Sequence, residues 1–113
     1  MQISIKGTGL DLTPSLETYI QEKLGTLEKF LKKFDELGAV EMRVEVARTT
    51  RHHRHGDVFM AEANLALPGK LLRAVADDAD VRTAVDNVKS MLKLEIEKYK
   101  TRLETKTVRR AKK

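Results

Sequence analysis

Basic side chains recur in the last third of the chain at a spacing that would place them on one side of a helix. The run from residue 80 to about residue 104 contains no Gly or Pro, and its apolar residues recur every three or four positions. This pattern predicts an amphipathic helix about 37 Å long. Projection at about 100° per residue groups four cations within roughly 40° of arc beside the apolar stripe. They are Arg82, Lys89, Lys93 and Lys100. Such a row suits the phosphate oxygens of a nucleic acid, and a solvated helix flank is the rival interpretation.

A second candidate for chemistry is a histidine-rich segment in the middle of the chain. The three histidines are His52, His53 and His55, interleaved with Arg51 and Arg54. His53 and His55 would share a face in an extended segment. However, the neighbouring arginines oppose a divalent metal ion, and Asp57 is the one carboxylate nearby. We therefore expect no metal site. A basic loop that contacts phosphate and a merely flexible loop both remain open.

No motif typical of an enzyme is present. The chain has no Cys, so it offers no thiolate nucleophile or thiolate metal ligand. The segment Gly7-Thr8-Gly9 lacks the further residues of a phosphate-binding loop and predicts a turn. Three aspartates, Asp77, Asp78 and Asp80, are expected to favour the start of the last helix. We expect a non-enzymatic protein without a cofactor.

The net charge of +5 comes from one end of the 113-residue chain. Residues 105–113 hold five basic residues and no acid, whereas the other 104 residues hold 17 of each sign. An RNA-binding surface on the body therefore has to arise from local sorting of charge. Arg109 and Arg110 in the basic tail are further candidates for RNA contact. No apolar run approaches the length of a membrane span and the N-terminus is not a signal peptide, so we expect a cytoplasmic protein.

These side chains have to be positioned by a β-α-β-β-β-α order of elements. Alternation around Ile3 and Ile5 predicts a first strand, and Thr13-Pro14 predicts the start of a helix that runs to about residue 37. Three further strands are predicted over residues 40–46, 57–67 and 70–76. Both helices should cover one face of a four-stranded sheet in an α+β fold, with a parallel first pair of strands and a polar outer face. Close packing against the sheet would explain Gly25 inside the first helix.

Several segments resemble the ribosome hibernation promoting factor family, which includes the ribosome-associated translation inhibitor. The resemblance covers roughly residues 2–104. Its specific parts are Leu12-Thr13-Pro14, the Asp80…Ala84-Val85-Asp86 pattern and Lys98-Tyr99-Lys100-Thr101-Arg102. It implies the same strand order and a fold similar to double-stranded RNA-binding domains. On this basis residues 1–104 form a ribosome-binding domain, and residues 105–113 form a flexible basic tail.

The resemblance also implies a partner and a mode of action. The partner is the small ribosomal subunit with its ribosomal RNA, bound in the messenger RNA and transfer RNA channel at the A and P sites. The protein would be a monomer off the ribosome, would bind neither membrane nor small-molecule substrate, and would keep ribosomes inactive under stress or in stationary phase. Basic positions of the family match Lys23, Lys29, Lys98 and Arg102, whereas Thr26 and Met91 depart from it. A general structured-RNA-binding protein is the alternative.

Overall fold

The computed structural model describes residues 1–36, 40–49 and 58–111, and the side chains of residues 104–111 fall outside this description. The elements follow one another in the predicted order, with the first helical region in three pieces. In chain order they are β1 (Gln2–Thr8), α1 (Pro14–Gly25), a 3-10 helix (Thr26–Phe30), α2 (Lys32–Asp35), β2 (Glu41–Arg48), β3 (Phe59–Leu67), β4 (Lys70–Asp78) and α3 (Val81–Ala111).

The four strands form one sheet in the order β1-β2-β3-β4. The β1–β2 pair is parallel and places Ile5 opposite Val44. The β2–β3 and β3–β4 pairs are antiparallel, with Ala63 opposite both Val44 and Ala74. The predicted α+β architecture and its mixed strand pairing are therefore confirmed. The implied likeness to double-stranded RNA-binding domains stays a prediction.

One hydrophobic core lies between the inner face of the sheet and the helices. Alternate residues of β2, β3 and β4 point into it, as the period of two dictates. The first helical region contributes Leu16, Ile20, Leu24, Leu27 and Leu31, and α3 contributes Ala84, Val85, Val88, Leu92 and Ile96. Among the described residues every buried side chain is apolar. Both helical regions thus pack on the same face of the sheet, as predicted.

The outer face of the sheet is mostly polar, with Leu71 and Val75 exposed on it, and two of its arginines are paired with glutamates. Arg43 pairs with Glu41 at 3.4 Å and Arg73 pairs with Glu62 at 3.3 Å. Asn64 and Arg73 both donate hydrogen bonds to Glu62, and these bonds lower the pKa of its carboxyl. This face therefore lacks the excess of cations that phosphate binding requires.

The first helix is not the continuous element that the periodicity predicted. It begins as expected, with the Thr13 hydroxyl accepting a hydrogen bond from the Leu16 N–H at 3.2 Å. After Gly25 the backbone tightens into the 3-10 helix, where the Thr26 hydroxyl donates to the Lys23 carbonyl at 2.6 Å. At Leu31 it leaves the helical region altogether (φ −118°, ψ 7°). Leu27 within the 3-10 helix and Leu31 at its end are both fully buried.

Two further boundaries differ from the prediction. Strand β4 continues to Asp78, so Asp77 and Asp78 belong to the sheet and not to the last helix. Helix α3 ends at Ala111 and not near Glu104, so the backbone of most of the expected tail is helical. The flexibility of residues 105–113 stays a prediction. Within the described part of the chain, no helix is long and apolar enough to cross a membrane.

The explanation offered for Gly25 is wrong, and its correction leads to a stability prediction. Gly25 adopts an ordinary helical conformation (φ −60°, ψ −26°), and a Cβ at this position would contact nothing within 4 Å. Gly25→Ala should therefore raise the free energy of unfolding by about 0.5–1 kcal/mol, since alanine restricts the unfolded chain. Urea denaturation measures this. Gly69→Ala is the matched control and should destabilise, because Gly69 has φ +71°. Equal effects of the two changes would contradict the assignment.

Candidate nucleic-acid interface

The start of α3 is fixed by one aspartate. An Asp80 carboxylate oxygen accepts a hydrogen bond from the Arg82 N–H at 3.3 Å, and the other accepts one from the Thr83 hydroxyl at 2.9 Å. These bonds stabilise the ionised form, and the one from Thr83 is the largest cause of the lowered pKa of Asp80. Asp78 supports the cap by accepting a hydrogen bond from the Asp80 N–H at 2.9 Å. Of the three aspartates predicted to favour the helix start, Asp80 is the one that caps it.

The rotation of α3 about its axis is set by its apolar stripe. The middle of the stripe is fully buried, and Tyr99 near its end packs edge-on against Phe34 with ring centroids 5.4 Å apart. The Tyr99 hydroxyl donates to the Pro68 carbonyl at 2.8 Å, which ties the helix to the β3–β4 turn. Leu103, one turn further along the helix, is 37% exposed.

On one flank of α3, an aromatic ring of α1 lies between cations from both helices. The Lys23 ammonium lies 5.5 Å from the centroid of the Tyr19 ring, and the Arg82 guanidinium lies 5.4 Å from the same centroid. The Tyr19 hydroxyl donates to the Asp86 carboxylate at 2.7 Å, and this hydrogen bond is the main reason that the pKa of Tyr19 is raised. Arg82 also donates to the Ser15 hydroxyl at 3.2 Å. The contacts join α1 to α3.

The same arrangement recurs further along the flank at Phe30. The Lys29 ammonium lies 5.1 Å from the centroid of the Phe30 ring, and the Lys93 ammonium lies 5.7 Å from it. One cation again comes from the first helical region and the other from α3. Cation–ring contacts at exposed sites are worth about 0.5–1 kcal/mol each. We call this surface the α1–α3 seam, and define it as Tyr19, Lys23, Lys29, Phe30, Arg82, Lys89 and Lys93.

The Asp86 carboxylate lies at the seam, bonded to Tyr19, but the cations of the seam form no ion pairs among the described residues. Within residues 1–36, 40–49 and 58–103, none of Lys23, Lys29, Arg82, Lys89 and Lys93 forms an ion pair. Half-buried Lys89 projects to the same side of α3 as Arg82 and Lys93, and half-buried Lys100 continues the row. The structure thus brings together six of the residues predicted to contact RNA. Their positive charge remains available to an anionic partner.

The other two described candidates lie elsewhere on α3. Projection places Lys98 and Arg102 about 140° and 180° around the helix from Lys93. Lys98 pairs with Glu95 at 3.5 Å. Lys98 and Arg102 line a shallow groove along the helix together with Leu94, which is 59% exposed. Lys98 and Arg102, which come from the family resemblance, therefore face a different direction from the cations predicted by helical projection.

Some predicted residues lie outside the described part of the molecule. The side chains of Arg109 and Arg110 are not described, although their backbone is helical. The histidine-rich segment, with His52, His53 and His55, falls within residues 50–57 and is also outside the description. Among the described residues, no group of three His, Asp or Glu side chains is placed to hold a metal ion.

Two aromatic residues of the seam follow a sequence pattern that by itself indicates packing on the core. Tyr19 and Phe30 follow the apolar periodicity of the first helix, and both are half-buried against the core. The structure adds that each ring contacts two cations. A weak signal was present for Tyr19, because Lys23 follows it at the i+4 spacing that places two side chains together on a helix. Nothing local could reveal the cations that α3 supplies.

Comparison with known proteins identifies the family. Residues 3–104 match the model of the sigma 54 modulation protein / S30EA ribosomal protein family. The chain belongs to this family. A protein named ribosome hibernation promoting factor from Acidithiobacillus ferridurans is 34% identical over 86 residues, which cover 76% of this chain and all of that relative. The factor of the same name from Klebsiella oxytoca is 28% identical over 91% of this chain and 97% of its own length. The resemblance noted in the sequence is therefore confirmed.

Other relatives and two solved structures extend the comparison. The chain spans about half the length of the ribosome hibernation promotion factors of Deinococcus radiodurans and Lactococcus lactis, 51% and 53% respectively. The Thermus thermophilus Protein Y N-terminal domain superposes with a TM-score of 0.70 at 23% identity, over 88% of this chain and 99% of that one. A ribosomal subunit interface protein from Coxiella burnetii superposes with a TM-score of 0.69 at 22% identity, over 89% and 99%. These structures confirm the fold. The family is non-enzymatic, as expected for this chain.

The cap of α3 provides a test of how the site is held. Because the pKa of Asp80 is lower in the folded state, its contribution to stability is complete above the ordinary value of 3.8 and is lost as the pH falls through the folded-state pKa. Asp80→Ala should lower the urea midpoint at pH 7 and flatten the dependence of stability on pH below about pH 4.

The matched variant is Asp80→Asn, whose amide oxygen still accepts the N–H hydrogen bond but does not ionise in this range. It should retain most of the stability at pH 7 and lose the same pH dependence. An unchanged acid profile in both variants would contradict the role given to Asp80.

Proposed function

We propose that the protein is a ribosome hibernation factor. It binds the small ribosomal subunit in the channel of messenger RNA and transfer RNA, at the A and P sites, and keeps ribosomes translationally inactive under stress or in stationary phase. It acts in the cytoplasm by steric occlusion and without catalysis. The observation on which the proposal depends is the α1–α3 seam, a row of cations that form no ion pair with any described residue, in a member of this family.

The names of the relatives support the ribosomal partner. Two relatives that this chain covers almost completely or completely, from Klebsiella oxytoca and Acidithiobacillus ferridurans, are named ribosome hibernation promoting factors. The seam supplies a surface suited to ribosomal RNA, because phosphate oxygens are bound by Lys and Arg without regard to base sequence. The outer face of the sheet is a weaker candidate, since its arginines are already paired with carboxylates.

The distribution of cations around α3 supports an enclosed binding site. Lys93 on the seam and Lys98 on the groove point about 140° apart, so one flat RNA surface cannot contact both. A channel lined by RNA on more than one side can contact the two faces together. In such a channel the seam cations form one site together with Lys98 and Arg102, the two residues assigned from the family resemblance. The side chains proposed to contact RNA are Lys23, Lys29, Arg82, Lys89, Lys93, Lys98, Lys100 and Arg102, with Arg109 and Arg110 of the C-terminal segment.

Co-sedimentation tests the proposal directly. Purified protein mixed with ribosomal subunits at low salt should migrate with the small subunit in a sucrose gradient. It should also be released as salt rises, because phosphate contacts release counterions. Migration with free protein only, at low salt, would contradict the proposal. Unrelated RNA duplex added as competitor separates it from the alternative of a general structured-RNA binder. A general binder would be displaced at similar affinity.

Charge reversal on the two faces of α3 tests the enclosed geometry. Lys29→Glu with Lys93→Glu removes two seam cations, and Lys98→Glu with Arg102→Glu removes two cations of the groove. Each pair should weaken binding to the small subunit by at least about 10-fold and reduce the slope of log affinity against log salt by about 2. On a short RNA duplex, only the seam pair should have this effect.

A matched control reverses two charges on the outer face of the sheet. Lys6→Glu with Arg43→Glu changes the net charge equally and should leave small-subunit binding nearly unchanged. Circular dichroism confirms that each variant is folded. Loss of ribosome binding in the control as large as in the seam pair would show that net charge alone is responsible. No effect of the Lys98 and Arg102 pair would remove the support for a channel.

A further inference from the structure

The two rings of the seam occupy an unusual position for residues that pack on a core. Tyr19 and Phe30 are half-buried, yet each lies within 6 Å of one cation from its own helical region and one from α3. Lysine and arginine are the most flexible of side chains, and binding has to immobilise them. A ring that attracts the cation in the free protein reduces that loss of freedom.

We propose that Tyr19 and Phe30 are positioning residues of the RNA-binding surface. They hold four cations, Lys23, Arg82, Lys29 and Lys93, in a row that matches a run of phosphates. This inference rests on the proposed function and names the part of the RNA that the seam recognises. Arg82 and Lys93 are eleven residues apart on α3, which is about 16 Å along the helix. The row is therefore long enough to contact several consecutive phosphates.

The geometry favours positioning over direct stacking of the rings on bases. The Tyr19 ring is flanked by Lys23 and Arg82, and its hydroxyl is held by Asp86. The Phe30 ring is approached by Lys29 and Lys93. Stacking platforms for single-stranded RNA instead present exposed aromatic faces to the bases. The seam should consequently recognise the backbone of structured RNA with little preference for sequence.

A double-mutant cycle separates positioning from packing. Phe30→Leu preserves an apolar side chain and removes the ring, and it should weaken binding of a short RNA duplex and of the small subunit by roughly 5- to 10-fold. In a background of Lys29→Ala with Lys93→Ala, the same change should have almost no further effect, because the cations on which the ring acts are absent. Phe30→Tyr keeps the ring and should bind as the wild type does.

Tyr19 offers an independent arm with its own conservative variant. Tyr19→Phe keeps the ring and loses only the hydrogen bond to Asp86, so affinity should stay within about 2-fold of wild type. Tyr19→Leu should lose affinity as Phe30→Leu does. Equal losses in Tyr19→Phe and Tyr19→Leu would show that the hydroxyl, and not the ring, is responsible. Additive losses in the Phe30 cycle would show that the ring acts on RNA or on the fold by itself. Either result overturns the proposal.

A measurement on the free protein tests the positions of the cations without any RNA. In NMR spectra of lysine-labelled protein, the methylene protons next to the ammonium groups of Lys29 and Lys93 should be shifted upfield by the Phe30 ring, and Phe30→Leu should abolish the shift. Unshifted lysine signals in the wild type would overturn the proposal.

The RNA measurements also distinguish the two hypotheses. If the wild type binds duplex but not the small subunit, the proposed function fails and the cycle on duplex still decides the role of the rings. If it binds neither, both fail.

Discussion

The packing of the α3 apolar stripe on the sheet is the constraint from which the rest of the surface follows. Val85, Val88 and Leu92 are fully buried, so the helix cannot rotate without exposing them. Burying a side chain of this kind contributes about 1.5–3 kcal/mol, more than any surface ion pair. The core therefore decides which cations face α1 and which face away. Burial of the apolar residues thus fixes the direction in which each charged side chain of α3 points.

The seam exists only because two distant parts of the chain meet on the same face of the sheet. Tyr19 reaches Asp86 across 67 positions of sequence, and Arg82 reaches Ser15 across the same separation. The first helical region alone has no excess of positive charge, since α1 and the 3-10 helix also contain Glu17, Glu22 and Glu28, and the basic residues are concentrated on α3. Joining them places Lys23 and Lys29 beside the α3 row, while these carboxylates form no ion pair with it among the described residues.

Periodicity predicted the fold well because burial dictates it at every element. The alternation in β2 and β3 and the stripe of α3 each have one apolar face, and a single core buries all of them. The break after Gly25 could not be read in this way. Leu24, Leu27 and Leu31 fit an unbroken helix, and the change to a 3-10 helix involves a local hydrogen bond of Thr26. The extent of α3 was missed for a related reason, because the sequence of residues 105–111 does not continue the apolar periodicity from which the helix was predicted.

A helix face alone was enough to predict which cations of α3 lie in one row, whereas the contacts between the helices could not be predicted from the sequence. The row of Arg82, Lys89 and Lys93 follows from projection, since burial of the stripe fixes the angle. The contacts of Tyr19 and Phe30 do not follow from projection, because one of the two cations at each ring comes from α3. The net charge of the chain does not predict the site either. The outer face of the sheet pairs Arg43 and Arg73 with glutamates, whereas the seam cations form no ion pair within the part of the chain that the structure describes. A neutral body can thus present a basic surface when its cations are gathered on one side, and an RNA partner responds to that local field.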